Sequence, residues 1–352
     1  MIDRGFPLLT GSRSIEAPCD MSVDFSVIIP SRDRPALLID AVNSVLRQTH
    51  ASKEVIIVDD GTSGNNAAVY AKLEEELSGQ AVFHHLVHRP RGHGQSYSIN
   101  FGVSKAAGAY VCFLDDDDYW TDDDHLARAH SVIQGARGAV DAYFTNQHAF
   151  INSKRIEDQV WIEDLAGILD GRVETDAHGA YDVTVRDLMR SSGFCHLNTS
   201  IVRRDLFEAI GGMDEGIRWE CDRDFNLRLI DHAGRIKYHP AVVSRHHVPD
   251  PTKTANMTTA IDMLQKRLFQ VAVLDKAILY AKHEEIRRHG KRHKVYALKK
   301  IAVLLHGTSN YSRASYYARE ALLTGFSIKW ALFTSYLLVH RLFSSYRSWK
   351  IT

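Results

Sequence analysis

Four carboxylates, Asp115 to Asp118, follow directly on an apolar run, Tyr110-Val111-Cys112-Phe113-Leu114. Adjacent negative charges repel one another, so a row of them at the end of a buried strand calls for a cation or a ligand. Carboxylate oxygens suit hard divalent cations such as Mg²⁺ and Mn²⁺; Mg²⁺ takes one or two carboxylates and leaves other positions to substrate phosphates. If the chain is still extended here, Asp115 and Asp117 fall on the same side and form a DxD pair. A calcium loop needs Gly at its sixth position and an acid at its twelfth, where this chain has Trp120 and Leu126. A solvated acidic turn, capping a helix that starts near Thr121, is the competing structural reading.

A second acidic group stands in "WECDRDF" (219–225), with Glu220, Asp222 and Asp224 within five residues. An acid so placed can take a proton from a hydroxyl, or it can cap a helix. "SRHHVPD" (244–250) carries His246 and His247, able to ligate a metal or to stand at a strand end on the surface.

Short β-branched runs alternate with helical patterns from residue 24 onward. "FSVIIP" (25–30), "EVIIVDDG" (54–61), "AVFHHLV" (81–87) and 109–114 read as strands. Helical patterns lie between them at 35–48, 65–77 and 94–108, with Pro35 at a helix start. This alternation predicts an α/β fold with a mostly parallel central sheet and helices on both faces. Ligands of such sheets bind outside the carboxyl ends of the strands. Three polar clusters, Ser31–Arg34, Asp59–Gly61 and Asp115–Asp118, follow strands there and should converge on one crevice. Beyond 140 the alternation weakens, with strands expected at 139–151, 199–204 and 236–247 and a helix near 222–232. After Pro251 only helical patterns remain.

"VIIPSRDRP", "VIIVDDGT" and "GQSYSINFGVSKAAGAYVCFLDDDDYW", in this order and at strand ends, resemble the inverting glycosyltransferases of family 2, which have the GT-A fold. The resemblance continues through "IVRRDLFEAIGGMDE", "WECDRDFNLRL" and "SRHHVPDPTKT", covering roughly 24–254. It implies a GT-A domain over 23–254, between a mobile tail (1–22, with Met21 an alternative start) and a C-terminal all-helical region (255–352). It implies a nucleotide-diphospho-sugar donor, UDP-linked, a glycan or lipid-linked acceptor, and Mn²⁺ or Mg²⁺ as cofactor. Pro30, Ser31, Arg32 and Arg34 would line the base and ribose, and Asp60 would accept a hydrogen bond from the base. Gly94 and Ser96 would approach the nucleotide. Asp117 would bind the metal, Asp115 the ribose or the metal, with Asp116 beside the nucleotide and Asp118 a helper. Asp222 matches the family's general base. The family usually has Glu-Asp at this point, but Cys221 holds the Glu position here and Glu220 precedes it, so both remain base candidates. His247 completes an Arg245-x-His metal or diphosphate contact, with His246 its competitor, and Lys253 lies on a lid near phosphate. His196, Asn198 and Trp219 fall on the acceptor side.

Lys plus Arg equals Asp plus Glu, 43 of each, so charge points to no nucleic-acid partner. Four scattered cysteines without a CxxC pair exclude a zinc ribbon and fit a reducing cytoplasm. The N-terminus lacks a signal-peptide core, and no apolar run approaches the roughly 20 residues that span a bilayer. "GHGQSY" ends on Tyr97 and is no dinucleotide fingerprint, and "HHLVH" reads as a strand with surface histidines. "IKWALFTSYLLVHRLFSSYRSWK" (328–350) is basic, aromatic and amphipathic, a pattern that suits the membrane interface at the cytoplasmic face, packing on the catalytic domain, or a homo-oligomer contact. A sugar-nucleotide nucleotidyltransferase would need Gly and Lys in the loop "PSRDRP", which has neither. A non-catalytic glycan-binding protein would have no use for metal acids and a base together.

Overall fold

The computed structural model describes residues 23–157, 161–248 and 261–349. The tail expected over 1–22 and the lid expected around Lys253 lie outside the described residues.

The first half alternates as its pattern requires: β1 (Phe25–Ser31), α1 (Pro35–Leu46), β2 (Lys53–Asp59), α2 (Asn65–Glu76), β3 (Val82–His85), α3 (Gln95–Val103) and β4 (Tyr110–Phe113). The strands form a parallel sheet in the order β3-β2-β1-β4. Their apolar runs are continuous because both faces are covered. Ile28, Ile56, Val58 and Phe113 point into one core, and their neighbours Val27, Ile29, Ile57 and Cys112 into the other.

The second half is mixed. It runs β5 (Tyr119–Trp120), α4 (His125–Gly135), β6 (Ala142–Ile151), β7 (Lys154–Arg155), α5 (Leu165–Leu169), β8 (Tyr181–Val183), α6 (Val185–Leu188), β9 (Ser200–Arg203), α7 (Arg204–Ala209), α8 (Cys221–His232) and β10 (Ile236–His247). The sheet continues from β4 as β9-β6-β10-β5, with β9 antiparallel to both neighbours and β10 parallel to β6. The pairing of β5 with β10 sets Tyr119 against Arg245 and Trp120 against Ser244. This pairing corrects the helix start expected near Thr121. The Thr121 N–H donates to the Val243 carbonyl at 2.8 Å, which keeps the chain strand-like, and α4 starts only after a turn through Asp122–Asp124.

Among the described residues four helices follow: α9 (Met263–Tyr280), α10 (Glu284–Gly307), α11 (Tyr311–Thr324) and α12 (Ile328–Trp349). Ile301, Leu305, Ala314, Ala318 and Leu337 form a separate small core among them. α9 joins this bundle to the sheet domain, since Val273 and Ala277 pack into the same core as Phe225 and Leu229. Asp231, at the end of α8, accepts the backbone N–H groups of Lys282 and His283 and so caps the start of α10. Among the described residues no helix is long and apolar enough to cross a membrane.

Candidate active site

The three polar clusters converge. Asp60 N–H donates to the Ser31 carbonyl at 2.9 Å, and Ser31 Oγ donates to Asp116 Oδ2 at 2.6 Å. Arg34 bridges Asp116 and Asp117, with Nη1 2.7 Å from Asp117 Oδ2. Burial opposes the Arg34 charge, but Asp116 and Asp117 hold its pKa above the ordinary value. Pro30 belongs to the last pairs of β1 with β2, and Arg32 donates to the Arg89 carbonyl at 2.8 Å.

The acidic row is a turn rather than an extended DxD. Asp118 N–H folds back to the Asp115 carbonyl at 3.1 Å, so Asp115 and Asp117 do not share one strand face. The four carboxylates fall into three environments. Asp115 accepts from Gln95 Nε2 at 2.7 Å, Asp116 and Asp117 meet Arg34, and Asp118 meets the histidines of β10. Asn198 locks the turn from beneath: it accepts from Asp115 N–H at 3.0 Å and donates to Asp118 Oδ2 at 2.6 Å. Asn198 is buried, so its amide is committed to the acidic turn.

His246 Nδ1 lies 2.6 Å from Asp118 Oδ2, and His247 N–H donates to Asp118 Oδ1 at 2.6 Å. Burial works against the His246 charge, but Asp118 overrides it and lifts the imidazole to about 9. Asp118 moves the opposite way: burial opposes its charge, yet His246 holds its carboxyl below the ordinary range. The His247 ring reaches the Asp117 carbonyl with Nδ1, which also stands 3.4 Å from Asp118 Oδ1. Asp115 is held well above the usual carboxylate range by burial and by the Asp118 and Asp117 charges. His196 sits beside it, pushed down to about 3 by burial and then by His246, and is therefore neutral. Donor atoms of Asp115, His196 and His246 lie within 4.8 Å of one another, close enough to hold a metal ion. Trp161 walls this cluster, its ring 4.5 Å from that of His196 and 5.2 Å from that of His246.

Asp60 faces the neighbouring loop. Its Oδ1 accepts from His93 N–H at 2.7 Å and its Oδ2 from Gly94 N–H at 2.9 Å. Gly94, at φ +105, opens α3; a Cβ there would stand 2.9 Å from the Arg218 guanidinium in a conformation that side chains rarely adopt. Gly94, the buried Ser96, Arg218 and Cys221 line one pocket.

The second acidic group closes the cleft. Asp222 Oδ2 is 4.0 Å from His196 Nε2, which is 3.9 Å from Asp115 Oδ2. Burial, then the Glu220 carboxylate, push Asp222 up to about 6. Glu220 turns away: Oε2 pairs with Arg223 Nε at 2.5 Å and Oε1 accepts from Gln270 Nε2 of α9 at 2.6 Å. Its backbone is left-handed at φ +66. Trp219 lies under Lys266, whose Nζ is 4.8 Å from the ring centroid. Asp224 pairs with Arg228 and with Lys276 of α9.

Sequence reading did not find Gln95, Trp161, Gln270 or Lys276. Gln95 had a usable signal, the residue after a Gly at a helix start. The other three reach the site from distant elements and have none.

The family model described as "Glycosyl transferase family 2" matches residues 26–211. The putative teichuronic acid biosynthesis glycosyltransferase TuaG of Bacillus subtilis is 38% identical over 101 residues, which is 28% of this chain and 37% of that protein. This chain spans 28% and 57% of the lengths of two other curated relatives. Staphylococcus aureus TarS 1–349, in a crystal structure with UDP-GlcNAc, superposes with a TM-score of 0.59 at 19% identity, covering 79% of this chain and 72% of that one. The mannosyltransferase PcManGT of Pyrobaculum calidifontis, in complex with GDP-Man and Mn²⁺, gives 0.55 at 18% identity, covering 95% and 86%. At these identities the two structures establish a shared fold.

Proposed function

The chain belongs to glycosyl transferase family 2, and on that footing we propose that it is a metal-dependent inverting enzyme. It moves a sugar from a nucleotide diphosphate donor, UDP-linked, to a hydroxyl of a glycan or lipid-linked acceptor, as in cell-surface polysaccharide synthesis. The observation that carries this reading is the line Asp115–His196–Asp222, in which a donor-side and an acceptor-side carboxylate stand 3.9 and 4.0 Å from one neutral imidazole. TuaG's name supports the polysaccharide setting, and the UDP-GlcNAc of TarS supports the donor.

Asp222 is the base. It is partly exposed and free of the paired contacts that engage Glu220. The acceptor oxygen attacks the anomeric carbon from the side opposite the diphosphate, its proton passes to an Asp222 oxygen, and the bond to the diphosphate breaks, so the configuration inverts. Asp60 reads the base edge from the end of β2, while Ser31 and Arg34 position the turn that faces the phosphates. Asp115, His196 and His246, whose donor atoms lie within 4.8 Å of one another, would hold the cation, while Asp117 is paired with Arg34. The mixed carboxylate and imidazole donors fit Mn²⁺ well. When bound, the cation supplies positive charge that stabilises the leaving diphosphate.

A lipid-linked acceptor agrees with the exposed apolar face that closes the chain. Phe326, Ile328, Leu332, Val339 and Leu342 are exposed, with Lys329 and Arg341 exposed beside them. This face docks on an anionic membrane surface. Cosedimentation with anionic liposomes should fall for Leu332→Asp, and failure of the full chain to bind them would remove this part of the reading.

The test of the activity is a panel of nucleotide sugars with Mn²⁺, read as release of the free nucleoside diphosphate. One donor should turn over, EDTA should abolish turnover, and added Mn²⁺ should restore it. Full turnover in EDTA would overturn metal dependence.

A further inference from the structure

A second cluster lies at the opposite edge of the sheet. Asp24 precedes β1, His50 follows α1, and His130 sits on α4. His50 Nε2 is 2.9 Å and His130 Nε2 3.8 Å from the same atom, Asp24 Oδ2. The two imidazole rings are 4.7 Å apart, and the three donor atoms lie within 4.8 Å of one another. We propose that Asp24, His50 and His130 form a second divalent-metal site, of the kind zinc occupies, which braces the amino-terminal edge of the sheet.

The geometry favours this over a plain hydrogen-bond network. One imidazole N–H satisfies Asp24 Oδ2 at 2.9 Å; the second nitrogen, 3.8 Å from the same oxygen, is too far to donate. A cation among the three satisfies both nitrogen lone pairs and the carboxylate at once. Two imidazoles and one carboxylate are a zinc-type donor set, whereas Mg²⁺ and Ca²⁺ prefer oxygen alone. Bonds of about 2.1 Å in a tetrahedral shell put ligand atoms about 3.4 Å apart, so His130 would close on Asp24 by about 0.4 Å and His50 would open from it by about 0.5 Å. Asp24 is the fixed corner: its N–H donates to Ser52 Oγ at 3.0 Å and its carbonyl accepts from Tyr110 N–H at 2.9 Å. His130 and Asp24 are about a third exposed, so solvent reaches the cluster. His50 is held edge-on against Phe25 at 5.2 Å. Lys53, the nearby ammonium, is occupied by the carbonyls of Gln48 and His50.

This site is separate from the catalytic cleft. β1 has seven residues and the acidic turn lies beyond its far end, so about 23 Å of strand divides the two. The inference therefore does not depend on the proposed activity. Its role is structural, tying the entry of β1, the α1–β2 loop and α4 together, and metal bound only by the folded chain raises its stability.

The experiment is zinc titration of the tag-free full chain against a chromophoric chelator, with Co²⁺ absorption as a second readout. It compares the natural chain with His130→Ala, Asp24→Asn and His246→Ala. The natural chain and His246→Ala should both hold a zinc equivalent that His130→Ala and Asp24→Asn bind at least tenfold more weakly. Zinc should raise Tm by about 2 °C or more in the first pair and not in the second. Two substituted sites guard against a folding defect in either one, and circular dichroism confirms that each is folded. Unchanged zinc affinity in both His130→Ala and Asp24→Asn overturns the proposal, as does loss of all bound zinc in His246→Ala alone.

Discussion

The two walls of the cleft hold their carboxylates in opposite ways. On the donor wall the partners of the acidic turn among the described residues come from the sheet domain: Ser31 at the end of β1 and Arg34 after it, Gln95 from α3, Asn198 before β9, His246 from β10. The base wall, 214–224, is held from outside by one C-terminal helix. Lys266, Gln270 and Lys276, all on α9, engage Trp219, Glu220, and Asp214 with Asp224. The family model ends at residue 211, before this wall begins. The donor wall is thus held from within the sheet domain, partly inside the matched region and partly by His246 of β10, whereas the base wall around Cys221 leans on a helix of the C-terminal bundle.

The sharpest test of this division is Asp222→Asn. Removing a general base typically costs 10²- to 10⁴-fold in rate, so transfer should fall by at least a hundredfold while UDP binding, read by calorimetry, stays near normal. Near-normal transfer in Asp222→Asn together with a dead Glu220→Gln would reverse the two roles. Asp60→Ala should act only on the donor wall. A charged hydrogen bond is worth about 1.5–3 kcal/mol, so the donor dissociation constant should rise at least tenfold; unchanged UDP affinity would remove Asp60 from base recognition. Gln270→Ala probes the outside support. Loss of its bond to Glu220, worth about 0.5–1.5 kcal/mol, should lower kcat by about three- to tenfold without changing the affinity for UDP. Weakened UDP binding in that variant would show the two walls to be one unit.

The smallest effect is on stability. Burial opposes the Asp231 charge, but the N–H groups of Lys282 and His283 outweigh it and hold its pKa below the ordinary carboxylate value. A depressed folded pKa means that the stabilisation is present above the unfolded value, near pH 4, and is lost as pH falls through the folded one. Asp231→Ala should cost about 1 kcal/mol at pH 7, the usual worth of a cap. Denaturant titrations should show the gap to the natural chain closing as pH falls below the ordinary carboxylate value; a gap independent of pH would assign the effect to packing.

The donor wall was legible because its chemistry is local. Buried strands such as "FSVIIP" and "EVIIVDDG" are continuous apolar runs, and the polar residues ending them had to emerge on one edge. β10 was legible down to its ends at Ile236 and His247. What failed was decided by pairing at a distance. The turn of Asp115–Asp118 and the late start of α4 both follow from β5 joining β10, more than a hundred residues away in the chain. Asn198 read as an acceptor-side residue, whereas its side chain bonds to the acidic turn, a contact visible only once β9 lies beside β4. The grip of α9 on Glu220 joins residues 50 positions apart and carries no periodic signal.

The acidic turn is pinned at both ends, by Asn198 at Asp115 and by the Val243 carbonyl at Thr121. Mechanically it is an anvil: it has no slack with which to follow a substrate. The Glu220 junction is set just as firmly by other means: a left-handed backbone, costly for a non-glycine residue, that Arg223 and Gln270 brace from either side.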